Sequence, residues 1–520
     1  MVKHILNLYL LLISGTIVCC QSGEIRSEKN TMTVNVIGRY ETGIKNASAT
    51  EVIAFDALGK KIFSTNSFDR SIDVIDISEC ALPVKAFSID IKPYGNKANS
   101  ISIKNGILAA AVEDTFPQRN GRVVLFDLDG KFISYFTVGS MPDMLTFTPD
   151  GNKIITANEG EPTENYSLDP EGSVSIIDLS KGIKKAEIHT ISFADLKIQN
   201  GMKSFSIAQN LAADLEPEYI TVSQNSATAW VVMQENNAIA EIDLVKYNIT
   251  HLFGLGYKDN AKHGNGLDAS DKNPFISINN WPIKSFYQPD AITSLQQKGK
   301  TYIITANEGD KRDYNVKEAR RLSTLILDSI AFPDHANLKS ENNLGRLLIA
   351  GLNGDTDLDG DLDELYAFGA RSFSIWDTAG KLIFDSGDDF EQILADQYLN
   401  DPELRKRFKK RSDDRGPEPE GLTLANIGSE VYLFIGLERM GGVMMYKISD
   451  IQKPEFISYI QGNDFSDLIE TNEDSETEPD LNPEGLLFIP AETSPIKKNM
   501  LLVANEVSGT ITLYSISENK

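Results

Sequence analysis

A chain of 520 residues, 41% hydrophobic and 24% charged, has the make-up of an ordinary globular protein with room for one very large domain or several ordinary ones. Its formal net charge of -25 argues against nucleic acid, because no basic surface is available to release counterions from phosphate. The same charge suits a well-solvated exterior or one that binds cations.

Residues 1–20 read as a signal peptide: Lys3 and His4, an uncharged apolar run over 5–18, then Cys19 and Cys20. The run is short for a bilayer span, so cleavage is expected. Ile17-Val18-Cys19-Cys20 resembles a lipobox with Cys20 lipidated, although Gly, Ala or Ser usually precedes that cysteine; simple secretion is the alternative. The expectation is an exported protein, an outer-membrane or cell-surface lipoprotein, otherwise periplasmic or secreted, that meets a membrane only through this lipid. Processing leaves Cys80 alone, so no disulfide framework is expected.

After a polar linker over 21–32, one unit recurs seven times. Each unit has an apolar strand opening on a polar residue, a second apolar strand ending near an acid, and an alternating third strand ending near Asp. The units fall at 51–76, 99–127, 143–178, 218–243, 290–377, 420–448 and 484–516, and turn signals such as Pro149-Asp150-Gly151 punctuate them. The fifth holds an insertion over 310–371. Four short antiparallel strands per unit, seven times over, predict an all-β, seven-bladed β-propeller over 33–520, expected as a monomer. Two packed β-sandwiches, the alternative, do not explain a sevenfold unit. The last unit lacks its outer strand, and residues 33–40 can supply it and close the ring.

In an antiparallel blade the start of the first strand and the end of the second share one end. The starts are Glu51, Asn99, Asp143, Glu218, Asp290, Glu420 and Glu484; Asp69, Glu113, Glu159, Glu235, Glu308, Glu438 and Glu506 sit at or just past the second-strand ends. Both sets face one mouth of the ring. Such a charge density requires cations or arginines to neutralise it, and Arg371, Arg415 and Arg439 are placed to reach that face. The blander reading makes each acid a loop cap duplicated with its blade. The recurrence of Asn-Glu at 158–159, 307–308 and 505–506 favours a shared ligand.

Residues 355–364 set Asp355, Asp357, Asp359, Asp361, Asp363 and Glu364 around Gly360, the oxygen-rich pattern that calcium prefers. The run matches the first half of an EF-hand loop, but Tyr366 stands where the bidentate Glu belongs, and Glu364 is the expected substitute. A second acidic stretch, 464–480, lacks regular spacing and reads as a surface loop, and the basic run 405–411 as an exposed helix end after a helical stretch over 391–404. Five scattered histidines give no zinc site, and no nucleophile elbow or P-loop occurs.

The motifs at 158–161 (Asn-Glu-Gly-Glu), 169–173, 306–310 (Ala-Asn-Glu-Gly-Asp), 355–364, 368–376, 411–421, 436–439 (Gly-Leu-Glu-Arg) and 503–506 resemble the choice-of-anchor I family. That family includes a mesenchyme-specific cell-surface glycoprotein group and atypical calcium-dependent alkaline phosphatases. The resemblance implies a surface calcium-binding propeller, with phosphomonoesterase activity in some members. The expected calcium ligands are the loop carboxylates with Glu420, Glu484 and Glu506. Glu159, Glu308, Arg371 and Arg439 are the expected catalytic group if the mouth hydrolyses a phosphate ester. The alternative is a non-catalytic propeller that binds a surface ligand, mineral or partner.

Overall fold

The computed structural model describes residues 32–518 except 206, 207, 209, 313, 315, 316, 399, 400 and 462–479. Cys20 and nearly all of the acidic stretch therefore lie outside the described residues. Among the described residues there are seven four-stranded antiparallel sheets, and each sheet's first strand packs against that of the next, the last against the first. The sheets form a closed ring, a β-propeller.

Sheet burial explains the sequence pattern. The second strands, such as Ile107–Val112 and Lys153–Asn158, are buried at every position after the first, because a neighbouring sheet covers each face. They therefore read as unbroken apolar runs. Outer strands such as Val84–Asp90 and Phe132–Ser140 face solvent and alternate, which makes them faint in the sequence.

Ring closure is as expected. Strand Met32–Glu41 pairs antiparallel with Thr510–Glu518, so the seventh sheet is shared by both ends of the chain. Asp480, the one described residue of the acidic stretch, is buried in that joint rather than exposed in a loop. It accepts hydrogen bonds from Arg39 Nε (3.0 Å), Thr510 Oγ1 (2.8 Å) and Thr512 Oγ1.

The fifth-sheet insertion does not stand alone. Its strands Ala319–Arg321, Leu348–Ala350 and Tyr366–Ala367 join Tyr257–Asp259 and Lys284–Phe286, which precede the fifth sheet, in one five-stranded sheet. Leu322, Phe332, Leu344, Ile349 and Leu365 give it an apolar core separate from the blades. Two helices follow, Asp389–Tyr398 and Pro402–Arg411, where the sequence suggested one helical stretch and a basic end. Among the described residues no helix is long and apolar enough to cross a membrane.

Candidate metal-binding mouth

The inner strands meet at an axial cavity of ≈ 110 Å³ lined by residues from all seven, including Asn99, Asp143, Tyr219, Asp290 and Glu484. Glycine makes this convergence possible. A Cβ on Gly421 would lie 1.8 Å from the Glu484 carbonyl oxygen, and one on Gly485 2.2 Å from that of Glu51. The Glu-Gly pairs that open the sixth and seventh sheets thus place an acid at the mouth and let the next backbone pass behind it.

Burial dominates the electrostatics. It pushes Asp143 up to about 6 and Glu51 and Asp290 up to about 7, helped by neighbouring carboxylates. Glu218, Glu420 and Glu484 are raised well above the ordinary range, by burial first and then by neighbouring acids, Asp290, Glu438 and Glu51 respectively. A second tier from the strand ends behaves alike: burial raises Glu159 and Glu308 strongly, Glu235 to about 8 and Glu438 to about 7. The mouth carboxylates of the two tiers expected from the repeat therefore act on one another across the axis.

Few cations oppose them. Lys97 is one that the repeat did not single out. Burial works against its charge, but Glu51, Glu113, Asp143 and Glu159 outweigh that and raise its pKa. Arg312 bonds Asp214 (2.6 Å) and Glu216 (3.1 Å), and Arg415 bonds Glu308 (2.9 Å), Asp310 (3.0 Å) and Glu418 (3.0 Å). Glu218 Oε2, Glu420 Oε2 and Asn99 Oδ1 are buried with no hydrogen-bond partner. Unpartnered buried carboxylate oxygens are costly unless a proton or a cation sits on them.

The other expected residues divide. Glu308, Glu418 and Glu438 bring carboxylate oxygens within 4.8 Å of one another. This trio is already countered by Arg415, by Arg411 on Glu418 (2.6 Å) and by Arg439 on Glu418 (3.3 Å) and Glu438 (3.0 Å). Arg371 does not serve the mouth. Its guanidinium is buried against the Glu391 carboxylate and the carbonyls of Asp268, Ser412 and Asp414, which take up both terminal nitrogens. Glu506 accepts from Ser48 Oγ and acts on Glu484. The asparagine of the Asn-Glu pair has a different task from its glutamate. Asn158 Nδ2 donates to Ser173 Oγ and Ser175 Oγ, and Asn307 Nδ2 to Ser372 Oγ and Ser374 Oγ, so these residues tie the second strand to the third.

In the acidic loop, Asp355, Asp357 and Asp363 form one group of mutually close carboxylates, and Asp328, Asp361 and Asp363 a second. Asp355 Oδ1 and Asp361 Oδ1 are buried without partners. Asp359 belongs to neither group; its Oδ1 accepts from the Asp361 amide. Glu364 does not replace the missing EF-hand ligand, because Lys284 (2.7 Å) and the Tyr366 hydroxyl hold its carboxylate. Asp328, 27 positions before Asp355, gave no sequence signal; the Leu327–Leu362 bridge brings it in.

Seven sheets about an acid-lined axis define a β-propeller with a carboxylate mouth. The chain belongs to the choice-of-anchor I family, whose domain matches residues 51–451. It is similar to gigasin-3a of Magallana gigas, 30% identical over 188 residues, 33% of this chain and 64% of that protein. It is also similar to a mesenchyme-specific cell surface glycoprotein of Strongylocentrotus purpuratus, 27% identical over 279 residues, 45% of this chain and 35% of that protein. The aligned stretches thus span less than two thirds of either relative. Family and relatives together indicate an extracellular or cell-surface location. Among solved structures, Kuenenia stuttgartiensis hydrazine synthase aligns at TM-score 0.47 and 13% identity over 92% of this chain and 99% of that one. The WD40 domain of Toxoplasma gondii coronin aligns at TM-score 0.46 and 9% identity over 94% and 87%. Both overlaps are loose, and the ring of sheets itself defines the fold.

Proposed function

We propose that this extracellular propeller is a calcium-binding protein, with one site in the axial mouth and another in the loop around Asp355, Asp357, Asp361 and Asp363. The observation that carries the mouth site is the pair of buried, unpartnered oxygens Glu218 Oε2 and Glu420 Oε2 in a ring of acids with few cations. The donor set is all oxygen, which suits calcium and not zinc. Glu218, Asp290, Glu420 and Glu484 would hold the ion in the mouth. Isothermal titration of chelator-treated protein tests this: Glu218→Gln with Glu420→Gln should remove one class of calcium site and leave the loop class. Identical titrations for variant and wild type would overturn the mouth site.

A calcium-dependent phosphomonoesterase is the finer reading, and one observation favours it. Arg439 keeps 38% side-chain exposure beside the buried acids, and with Nε and Nη2 held by Glu418 and Glu438 its Nη1 can donate to an oxygen of a phosphate monoester. Glu159, whose burial and acidic neighbours raise its pKa and favour its protonated form, can hand a proton to the leaving oxygen. Glu308 keeps Arg415 in place through their 2.9 Å contact. Bound calcium would supply the positive field that the mouth needs before it can admit an anion. Phosphate release from a chromogenic monoester should require calcium, and Arg439→Ala or Glu308→Gln should lower it about tenfold, roughly 1.4 kcal/mol in barrier. No calcium-dependent release by the wild type would leave a non-catalytic propeller that binds calcium and a surface ligand.

A further inference from the structure

The face opposite the mouth differs from the rest of the chain. Inner strands start at the mouth, so the hairpins linking each first strand to its second all project from the far face. Across residues 56–61, 104–106, 148–153, 223–228, 297–300, 427–430 and 489–499 there are eight lysines and four carboxylates, an excess of four positive charges in a chain of net charge -25. Lys60, Lys298, Lys300, Lys497 and Lys498 are exposed.

Apolar surface accompanies the lysines. A cavity of ≈ 280 Å³, further along the axis than the acidic one, is lined by Phe55, Ile103, Leu487, Phe488 and Pro490 among others. At one hairpin tip beside it Leu58 is 98% exposed. A fully exposed leucine next to lysines is the arrangement found where a protein rests on a lipid interface, the apolar tip entering below the headgroups and the ammonium groups meeting their phosphates. Strand polarity places Met32, paired with Glu518, at the far end of the seventh sheet, so the first described residue sits on this same face.

We infer that the far face docks on an anionic phospholipid surface and turns the acidic mouth away from it. The alternative cause of the lysines, balancing nearby acids at hairpin turns, accounts for the outer hairpins. There each Asp ending a third strand, as at Asp127 and Asp377, accepts the backbone amides of its own turn. It does not account for the inner ring, where lysines outnumber acids two to one.

The test uses the chain from Gln21 onward, which keeps every described residue, and co-sedimentation with vesicles. Binding to phosphatidylcholine vesicles containing about one third phosphatidylglycerol should exceed binding to phosphatidylcholine alone by roughly tenfold and weaken with salt. Lys60→Glu, Lys298→Glu, Lys300→Glu and Lys498→Glu together should abolish the difference. Reversal of Lys181, Lys184, Lys185 and Lys246 on the outer hairpins should leave it. These lysines are exposed, so both variants should melt as the wild type does. Equal binding to the two vesicle types, or undiminished binding by the inner-ring variant, would overturn the proposal. Retention on a soluble sulfated polymer without vesicle binding would overturn it in favour of a polyanionic partner.

Discussion

Asp480→Ala should loosen the ring at its closure. The Asp480 side chain is 2% exposed and that of Arg39 13%, their closest contact being 2.9 Å. Two threonine hydroxyls of the last strand also donate to Asp480. Removing the carboxylate takes the buried acceptor from two hydroxyls and leaves the largely buried guanidinium without its buried partner, its contact with the exposed Glu41 remaining. Breaking a buried pair from one side costs about 3–5 kcal/mol. Unfolding entropy of about 2.1 cal/mol/K per residue comes to about 1 kcal/mol/K for a chain of this size, so Tm should fall by about 3–5 °C. Scanning calorimetry at neutral pH in low salt would read this. Arg39→Met should act similarly, and the double variant should lose less than the sum, because the two residues share one network. The exposed pair Lys181–Glu187 is the control, and its loss should shift Tm by under about 1 °C. An Asp480→Ala protein melting within about 1 °C of wild type would refute the claim that this joint holds the ring closed.

Calcium should raise Tm by mass action, and Asp357→Ala with Asp363→Ala should remove the part of the rise that the loop contributes; an unchanged calcium response would place that part elsewhere. The pH dependence of the calcium-free protein follows from carboxyls raised to about 6 at Asp143, about 7 at Glu161, Glu216 and Asp290, and about 8 at Glu235. The folded state then binds more protons than the unfolded one above the ordinary carboxylate range, so stability present at low pH is lost as pH rises to about 8. Thermal melts should therefore fall in Tm from about pH 5 to about pH 8, and calcium should flatten the fall. A Tm that rose over this window would contradict the account of the mouth.

Much of this was legible in the sequence, for a physical reason. Strands covered on both faces must be apolar throughout, so 107–112, 153–158 and 500–505 stand out, and their spacing gives the ring. The mouth acids were legible because the repeat fixes which end of each strand they occupy. What escaped depends on contacts between distant segments. Arg371 looked like a phosphate clamp until helix Asp389–Tyr398 brought Glu391 against it. Glu364 looked like a calcium ligand until Lys284, 80 positions earlier, took its carboxylate. Lys97 lies two positions before Asn99 but just outside strand Ala98–Lys104, and the register shift between Ala98 and Ser100 keeps strand alternation from assigning it to the axis.

The central claim is that the mouth holds calcium. Anomalous diffraction from crystals grown with calcium tests it most directly. The account predicts an anomalous peak within the ring of mouth acids, about 2.3–2.6 Å from Glu218 Oε2 or Glu420 Oε2. A mouth holding only water, with anomalous density confined to the acidic loop, would contradict it.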